Sequence, residues 1–191
     1  EGSLLANKDG SFSTVSDGAL EAVKVPKNAA VELRALLGLR DQASRLLTLE
    51  SATPEDTEEI TDTRAGLKRD YQRYVGRWGP INRYTLRRTG RTNENGEDTH
   101  ARIVPPAVRL LRTDPFGPLV IALEQFDDVE QVATPAAIMA QRVVVPRPEA
   151  QGVDTPTEAV AVSLDRTGGI DLPLIADLLG LPEDDARTAL G

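Results

Sequence analysis

The chain has no cysteine, one tryptophan, one methionine and one histidine, and only 4% of its 191 residues are aromatic. Without cysteine there are no disulfides and no thiolate zinc sites, which fits a cytosolic protein. A single histidine cannot build the usual metal centres, so no metal ion is expected. So few aromatics leave the core to leucine, valine, isoleucine and alanine. No apolar run approaches the roughly 20 residues that cross a bilayer. The start, EGSLLANKDGS, lacks the basic and apolar regions of a signal peptide. No GxxxxGK[ST] motif is present, which removes the phosphate-cradling loop of NTPases, and no nucleotide or other cofactor is expected. The acidic run EDTEE (55–59) lacks the glycine and spacing of a calcium loop. Ser11 and Ser163 have no base partner nearby in sequence. His100 is expected in a surface turn near Asp98. Asp114-Pro115-Phe116 is similar to the Asp/Asn-Pro-Pro-aromatic loop of amino-methyltransferases, but it lacks the second proline and reads as a turn. No catalytic residue is assigned. The chain also lacks an initiator methionine and stops on Leu-Gly after a short helical pattern, which reads as a segment of something larger.

What is present is an uneven charge distribution. The net charge is −8, which argues mildly against a surface that binds nucleic acid everywhere. Residues 64–112, however, hold 12 basic and 4 acidic residues. The rest of the chain holds 10 basic and 26 acidic residues. Such a contrast within one chain points to partners.

The periodicities predict mainly α structure with minor β. Residues 10–26 alternate apolar and polar around Ser16-Asp17-Gly18, a β-hairpin signal with Phe12, Leu20 and Val23 as part of its buried face. From Lys27 to Glu50 the pattern is helical, with Val31, Leu33, Leu36, Leu37, Leu46 and Leu47 at spacings of three and four. Thr53 then reads as an N-cap, with Pro54 in the first helical position and Glu55 and Asp56 at the positive end of the dipole. The second helix should run to about Trp78. Ile60, Leu67, Tyr71, Tyr74 and Trp78 fall within about 60° of one another on its wheel. The two helices read as an antiparallel hairpin, and Gly79-Pro80 ends it. Residues 81–92 alternate Ile81, Arg83, Thr85 and Arg87 against Asn82, Tyr84, Leu86 and Arg88, as in a strand with one arginine-bearing face, and 101–106 could return from a turn at 92–100. Asp114–Pro118 is a second break. Residues 119–127 read as a short helix in preference to a strand, and Thr134-Pro135 as the cap of another. Residues 1–148 form one domain in this reading, with 149–154 a linker. Residues 155–191 form a trihelical, helix-turn-helix-like unit. Thr155 and Glu158 make its capping box, and helices cover 156–165, 172–179 and 182–190.

Two surfaces carry the chemistry. Arg69, Arg73 and Arg77 recur at every fourth position, opposite the aromatic seam. Arg83, Arg87, Arg88 and Arg91 follow on the strand. Arginine makes bidentate phosphate contacts, so a nucleic-acid backbone is the natural complement. The alternative is internal pairing with the acidic remainder, or docking on an acidic neighbour. Tyr71, Tyr74, Trp78 and Tyr84 could stack on unpaired bases, but helical spacing favours core packing. In the C-terminal unit, the helix that would enter a major groove begins with Glu183, Asp184 and Asp185. Carboxylates there oppose phosphate. They read as helix-capping acids in a packing module, or as a protein-docking surface.

Several stretches also resemble a known region: YQRYVGRWGPINRYTLRRTGR (71–91), ALEQFDDVEQVATPAAI (122–138), RVVVPR (142–147), TPTEAVAVSLDRTGGIDLPLIADLLG (155–180) and AAVELRALLGLRDQASRLL (29–47). They are similar to an internal, non-catalytic region of very large actinobacterial, plasmid and phage proteins that fuse an SNF2-type helicase to an N6-adenine DNA methyltransferase. The resemblance implies a parent that remodels or unwinds and methylates DNA in restriction or phage defence, and a cytoplasmic location is expected from the absence of cysteine, signal peptide and membrane span. This chain would be an accessory DNA-backbone-binding or positioning domain next to the helicase and methyltransferase domains, without sequence preference because no residue here is identified as a base-edge reader. A protein-interaction scaffold without DNA contact is the alternative reading.

Overall fold

The computed structural model describes residues 1–146 and 152–190. Two compact units divide the chain, Glu1–Pro146 and Arg147–Gly191. The expected linker at 149–154 lies partly outside the described residues.

The first unit opens with a three-stranded antiparallel sheet, β1 (Leu4–Ala6), β2 (Phe12–Ser16) and β3 (Ala19–Val23), in that order. The β2–β3 turn places both Asp17 and Gly18 at positive φ, the geometry that matches the twist of a two-residue hairpin. Phe12 pairs with Val23 and is buried, but Leu20 is 65% exposed. The hairpin is also lengthened by β1, whose Leu4 is buried. A side chain far along the chain holds it there. Asp114, fully enclosed, accepts from the Leu4 amide at 2.7 Å and from Arg40 at 2.5 Å.

Helices α1 (Lys27–Ala52) and α2 (Glu58–Trp78) form the expected hairpin. Leu33, Leu36, Leu37 and Leu46 of α1 meet Ile60, Leu67, Tyr71 and Tyr74 of α2 in one core. Each fully buried leucine contributes about 1.5–3 kcal/mol. Val31 departs from the pattern, being 54% exposed.

The N-terminus of α2 is a correction. Thr53 ends α1, and Thr57 caps α2 by accepting from the Ile60 amide. Asp56 has other work. It binds Arg64 at 2.6 Å and Arg142 at 2.9 Å. Beneath it, fully buried Glu50 accepts from Arg64 at 2.9 Å and from the amides of Val143 and Val144 at 2.9 and 3.1 Å. Arg142 donates to the carbonyls of Glu50 and Thr53. The network clamps residues 142–144 to the α1–α2 connection.

After α2 come β4 (Thr85–Thr92) and β5 (Asp98–Ile103), which pair as a two-stranded ribbon. Helices α3 (Pro106–Leu111) and α4 (Gly117–Ile121) then pack on α1. Gly117 is sterically required between them, since a Cβ there would lie 2.2 Å from the Leu111 carbonyl oxygen. The expected helix over 119–127 ends at Ile121 and gives way to β6 (Glu124–Asp127). Thr134-Pro135 caps no helix. It lies in β7 (Val132–Pro135), paired to Gln125 and Glu124, and only a 3-10 turn (Ala137–Met139) follows. The capping pattern is overridden because Glu124 is drawn into the core by bonds to distant residues.

In the second unit the expected helices are present as α5 (Pro156–Thr167), α6 (Leu172–Leu179) and α7 (Glu183–Ala189). Thr155 and Glu158 form the capping box, Asp171 caps α6 and Gly180 ends it in a left-handed conformation. Ala159, Ile175, Ala176, Leu178 and Ala186 form the core. Ser163 is structural. Its hydroxyl donates to the Gly169 carbonyl and accepts from the Asp171 amide. The architecture is thus helical with small antiparallel sheets and a C-terminal three-helix unit.

Glu50 gives a test of the clamp. Burial pushes its carboxyl up, but the Val143 amide, Arg64 and the Val144 amide outweigh burial and hold it below its ordinary 4.5. A depressed folded-state value stabilises the fold above pH 4.5 and ceases to do so as pH falls through that lower value. Glu50→Gln should therefore cost about 3 kcal/mol at neutral pH. Its deficit should shrink as acid protonates the wild-type carboxyl. Urea unfolding followed by Trp78 fluorescence, at neutral pH and in acid well below pH 4.5, checks both.

Candidate nucleic-acid interface

The turn out of α2 is built from two buried carboxylates. Glu124 accepts from the Tyr71 hydroxyl at 2.9 Å and from the Asn82 amide at 2.7 Å. Glu32, on α1, accepts from the Tyr74 hydroxyl at 2.7 Å and from Arg83 at 2.7 Å. Each carboxylate thus receives one tyrosine of α2 and one residue of the segment that follows it. Burial raises both phenolic pKa values above the ordinary range, and the carboxylates add to the effect. Burial disfavours the charge on Arg83, but the bonds to Glu32 and Tyr74 outweigh it and raise its pKa.

The arginines predicted as one surface therefore divide. Arg83 faces inward. It is an internal ion-pair partner, bound to Glu32, to the Tyr74 oxygen and to the Pro80 carbonyl. The strand begins only at Thr85, which is why its alternation could not be extrapolated back to Ile81, itself fully buried. Arg69, Arg73 and Arg77 are exposed along α2. Arg73 pairs with Asp70 at 2.9 Å while 70% exposed. Arg77 lies over the Trp78 ring at 4.6 Å.

On the ribbon, every residue of β4 is exposed. Directly opposed residues share a face of a β-ladder. Leu86 opposes Arg102 and Arg88 opposes His100, whereas Arg87 opposes Ala101. Arg87 and Arg88 thus sit on opposite faces, so the single arginine face expected of the strand is corrected. The register shifts between Arg88 and Thr92, which adds twist. His100 lies in β5, not in a turn, and Asp98 pairs with Arg88. The base of the ribbon is anchored by Arg102, which bonds Asp128 and lies 4.3 Å from the Tyr84 ring, and by Tyr84 edge-on to Phe126. Among the described residues, Arg69, Arg77, Arg87 and Arg91 have no ion-pair partner at 4.0 Å or less.

Tyr71 and Tyr74 are core residues, as their spacing predicts. Trp78 is half-buried and, with Val31, Ala35, Gly38, Leu39 and Tyr74, lines a groove between α1 and α2. Periodicity missed this groove. Its signal was Val31, an apolar residue off the buried stripe.

In the second unit, Glu183, Asp184 and Asp185 occupy the first turn of α7 and are exposed. Arg187 approaches Asp184 at 3.6 Å. Residues 152–190 carry eight carboxylates and two arginines.

One family model matches this unit. Residues 152–191 match the winged helix domain of a probable helicase. The match covers about a fifth of the chain and supports a helicase-associated region. The described part of the match holds the three helices α5–α7 and no strand. No curated protein and no solved structure matches the chain. No described helix is long and apolar enough to cross a membrane.

The inward position of Arg83 has a measurable consequence. Arg83→Ala leaves Glu32 half-satisfied in the core and should lower unfolding stability by about 2–3 kcal/mol. Arg69→Ala should change stability by less than about 0.5 kcal/mol. Chemical denaturation of the two variants checks the division.

Proposed function

We propose that this chain is an accessory DNA-backbone-binding or positioning domain, not itself catalytic, of a large DNA helicase that also carries an adenine methyltransferase and serves restriction or phage defence. One observation carries the reading. Arg69 and Arg77 on α2 and Arg87 and Arg91 on the ribbon are exposed and have no ion-pair partner among the described residues, while Arg73 and Arg88 hold only partly exposed acids. Exposed pairs of that kind contribute little and yield readily to phosphate. A two-stranded ribbon also has a width that a major groove admits. With arginines on both of its faces, it suits backbone contact on either side of a groove better than base-edge reading.

The winged-helix match supports the association with a helicase. It does not move the DNA contact to α7, whose first turn presents Glu183, Asp184 and Asp185 where phosphate would lie. Those acids favour a second role for this unit, docking on a basic face of a neighbouring helicase or methyltransferase domain.

Anisotropy of a labelled duplex of about 30 base pairs should give micromolar affinity at low salt, falling steeply as salt rises. Arg69, Arg73 and Arg77 changed together to alanine should flatten the log–log salt slope by about 2–3, and so should the set Arg87, Arg88 and Arg91. No binding at low salt of this duplex or of a single strand of equal length removes the DNA role and leaves protein docking as the function of both surfaces.

A further inference from the structure

We infer that the groove between α1 and α2 is a stacking site for an unpaired base, so that the nucleic acid this surface prefers is single-stranded. The inference rests on the DNA reading above and narrows its substrate.

The groove has a volume of about 350 Å³, within the range of sites that hold small organic ligands, roughly 300–1,000 Å³. Its floor is apolar: Val31, Ala35 and Leu39 of α1. Its wall is the Trp78 indole, tilted on Tyr74 at 5.1 Å. Its rim is cationic, with Arg34, Arg73 and Arg77. Among the described residues Asp70 is the one carboxylate at the groove, and both Gln42 and Arg73 already hold it, at 2.7 and 2.9 Å. An apolar slot walled by an aromatic ring and rimmed by arginine is what a base with its attached phosphates requires.

Gly38 is the second, independent sign. It lies in the middle of α1, where glycine weakens a helix. It has no positive φ, and a Cβ there would meet nothing within 4 Å. Packing does not call for it, yet its absent side chain is what leaves the groove floor open. Val31, exposed on the same floor, gains cover from an occupant. Arg77 lies on the indole with no ion-pair partner among the described residues. In the loaded groove the base takes that place and the guanidinium turns to the adjoining phosphate.

The chain has one tryptophan, so its emission reports the groove directly. The test titrates the whole chain with a thymidine oligomer of about 15 nucleotides and with a duplex of equal length, reading Trp78 emission and the anisotropy of an end label. The expected result is quenching by the single strand and none by the duplex. Gly38→Leu fills the floor and leaves every arginine in place. It should weaken single-strand binding about tenfold, abolish quenching and leave duplex affinity within about twofold. An unchanged melting temperature for Gly38→Leu confirms that its fold is intact, and Ala35→Met serves the same purpose if the leucine variant unfolds. Single-strand binding without an emission change, or binding unaffected by both fillings, overturns the groove assignment and leaves the arginine surface standing. Quenching by poly-glutamate with no response to either nucleic acid assigns the groove to an acidic protein segment and overturns it too. Anisotropy that detects neither nucleic acid overturns the DNA reading and this inference together.

Discussion

The exit from α2 is governed by two carboxylates taken out of water. Glu32 and Glu124 would be costly to bury unpaired. Each is made tolerable by a tyrosine hydroxyl from α2 and by a donor from residues 82–83. Those bonds do more than satisfy the acids. They hold the helix and the chain leaving it to the same two anchors, so the path of the chain past Gly79 is set by both. The arginines of α2 and those of the ribbon are thereby presented as parts of one body. Tyr84, Phe126 and Arg102 extend the anchorage to the ribbon's base.

The same constraint sorts the cations. A stretch with 12 basic residues looks uniform in sequence, but its arginines do two jobs. Arg64 and Arg83 neutralise buried carboxylates and belong to the fold. Among the described residues, Arg69, Arg77, Arg87 and Arg91 have no ion-pair partner, which leaves them able to meet an external anion. Internal pairing therefore reduces the basic patch without silencing it, because the inward pairs involve carboxylates of α1 and not the exposed stripe.

Much of the fold was legible because local chemistry and the final structure agree. The aromatic seam of α2, the Thr155–Glu158 box, the Asp171 cap and the Gly180 stop are all short-range signals, and each is present. What failed failed for a long-range reason. Thr53-Pro54 has the composition of a helix start, yet Asp56 is claimed by Arg64 and by Arg142, some 86 residues away. Thr134-Pro135 looks the same and becomes a strand because Glu124 opposite it is held in the core. β1 was invisible because three residues carry no period, and it exists through Asp114, 110 positions along. Arg83 could not be told from Arg87 by spacing, since their difference is a carboxylate on another helix. Of the candidate site, the exposed arginines were readable. The groove was not, for it needs two helices at once.

The groove and the stripe also explain each other's composition. An amphipathic helix pair built only for stability would place alanine or leucine at position 38 and bury Val31. Instead α1 keeps a glycine and an exposed valine beside the only tryptophan, and α2 directs Arg73 and Arg77 to the rim of that same opening. On the proposed reading, the stability forgone at position 38 leaves an opening beside the cationic edge. A surface meant only for duplex backbone needs charge and a convex face, and it gains nothing from an open apolar slot. A surface meant only for an acidic protein helix needs the slot but would not need arginines to continue onto a ribbon exposed on both faces. A strand with its bases unpaired uses all three features. In the proposed complex its bases take the slot, its nearest phosphates meet the rim, and its continuing backbone follows the arginines of β4.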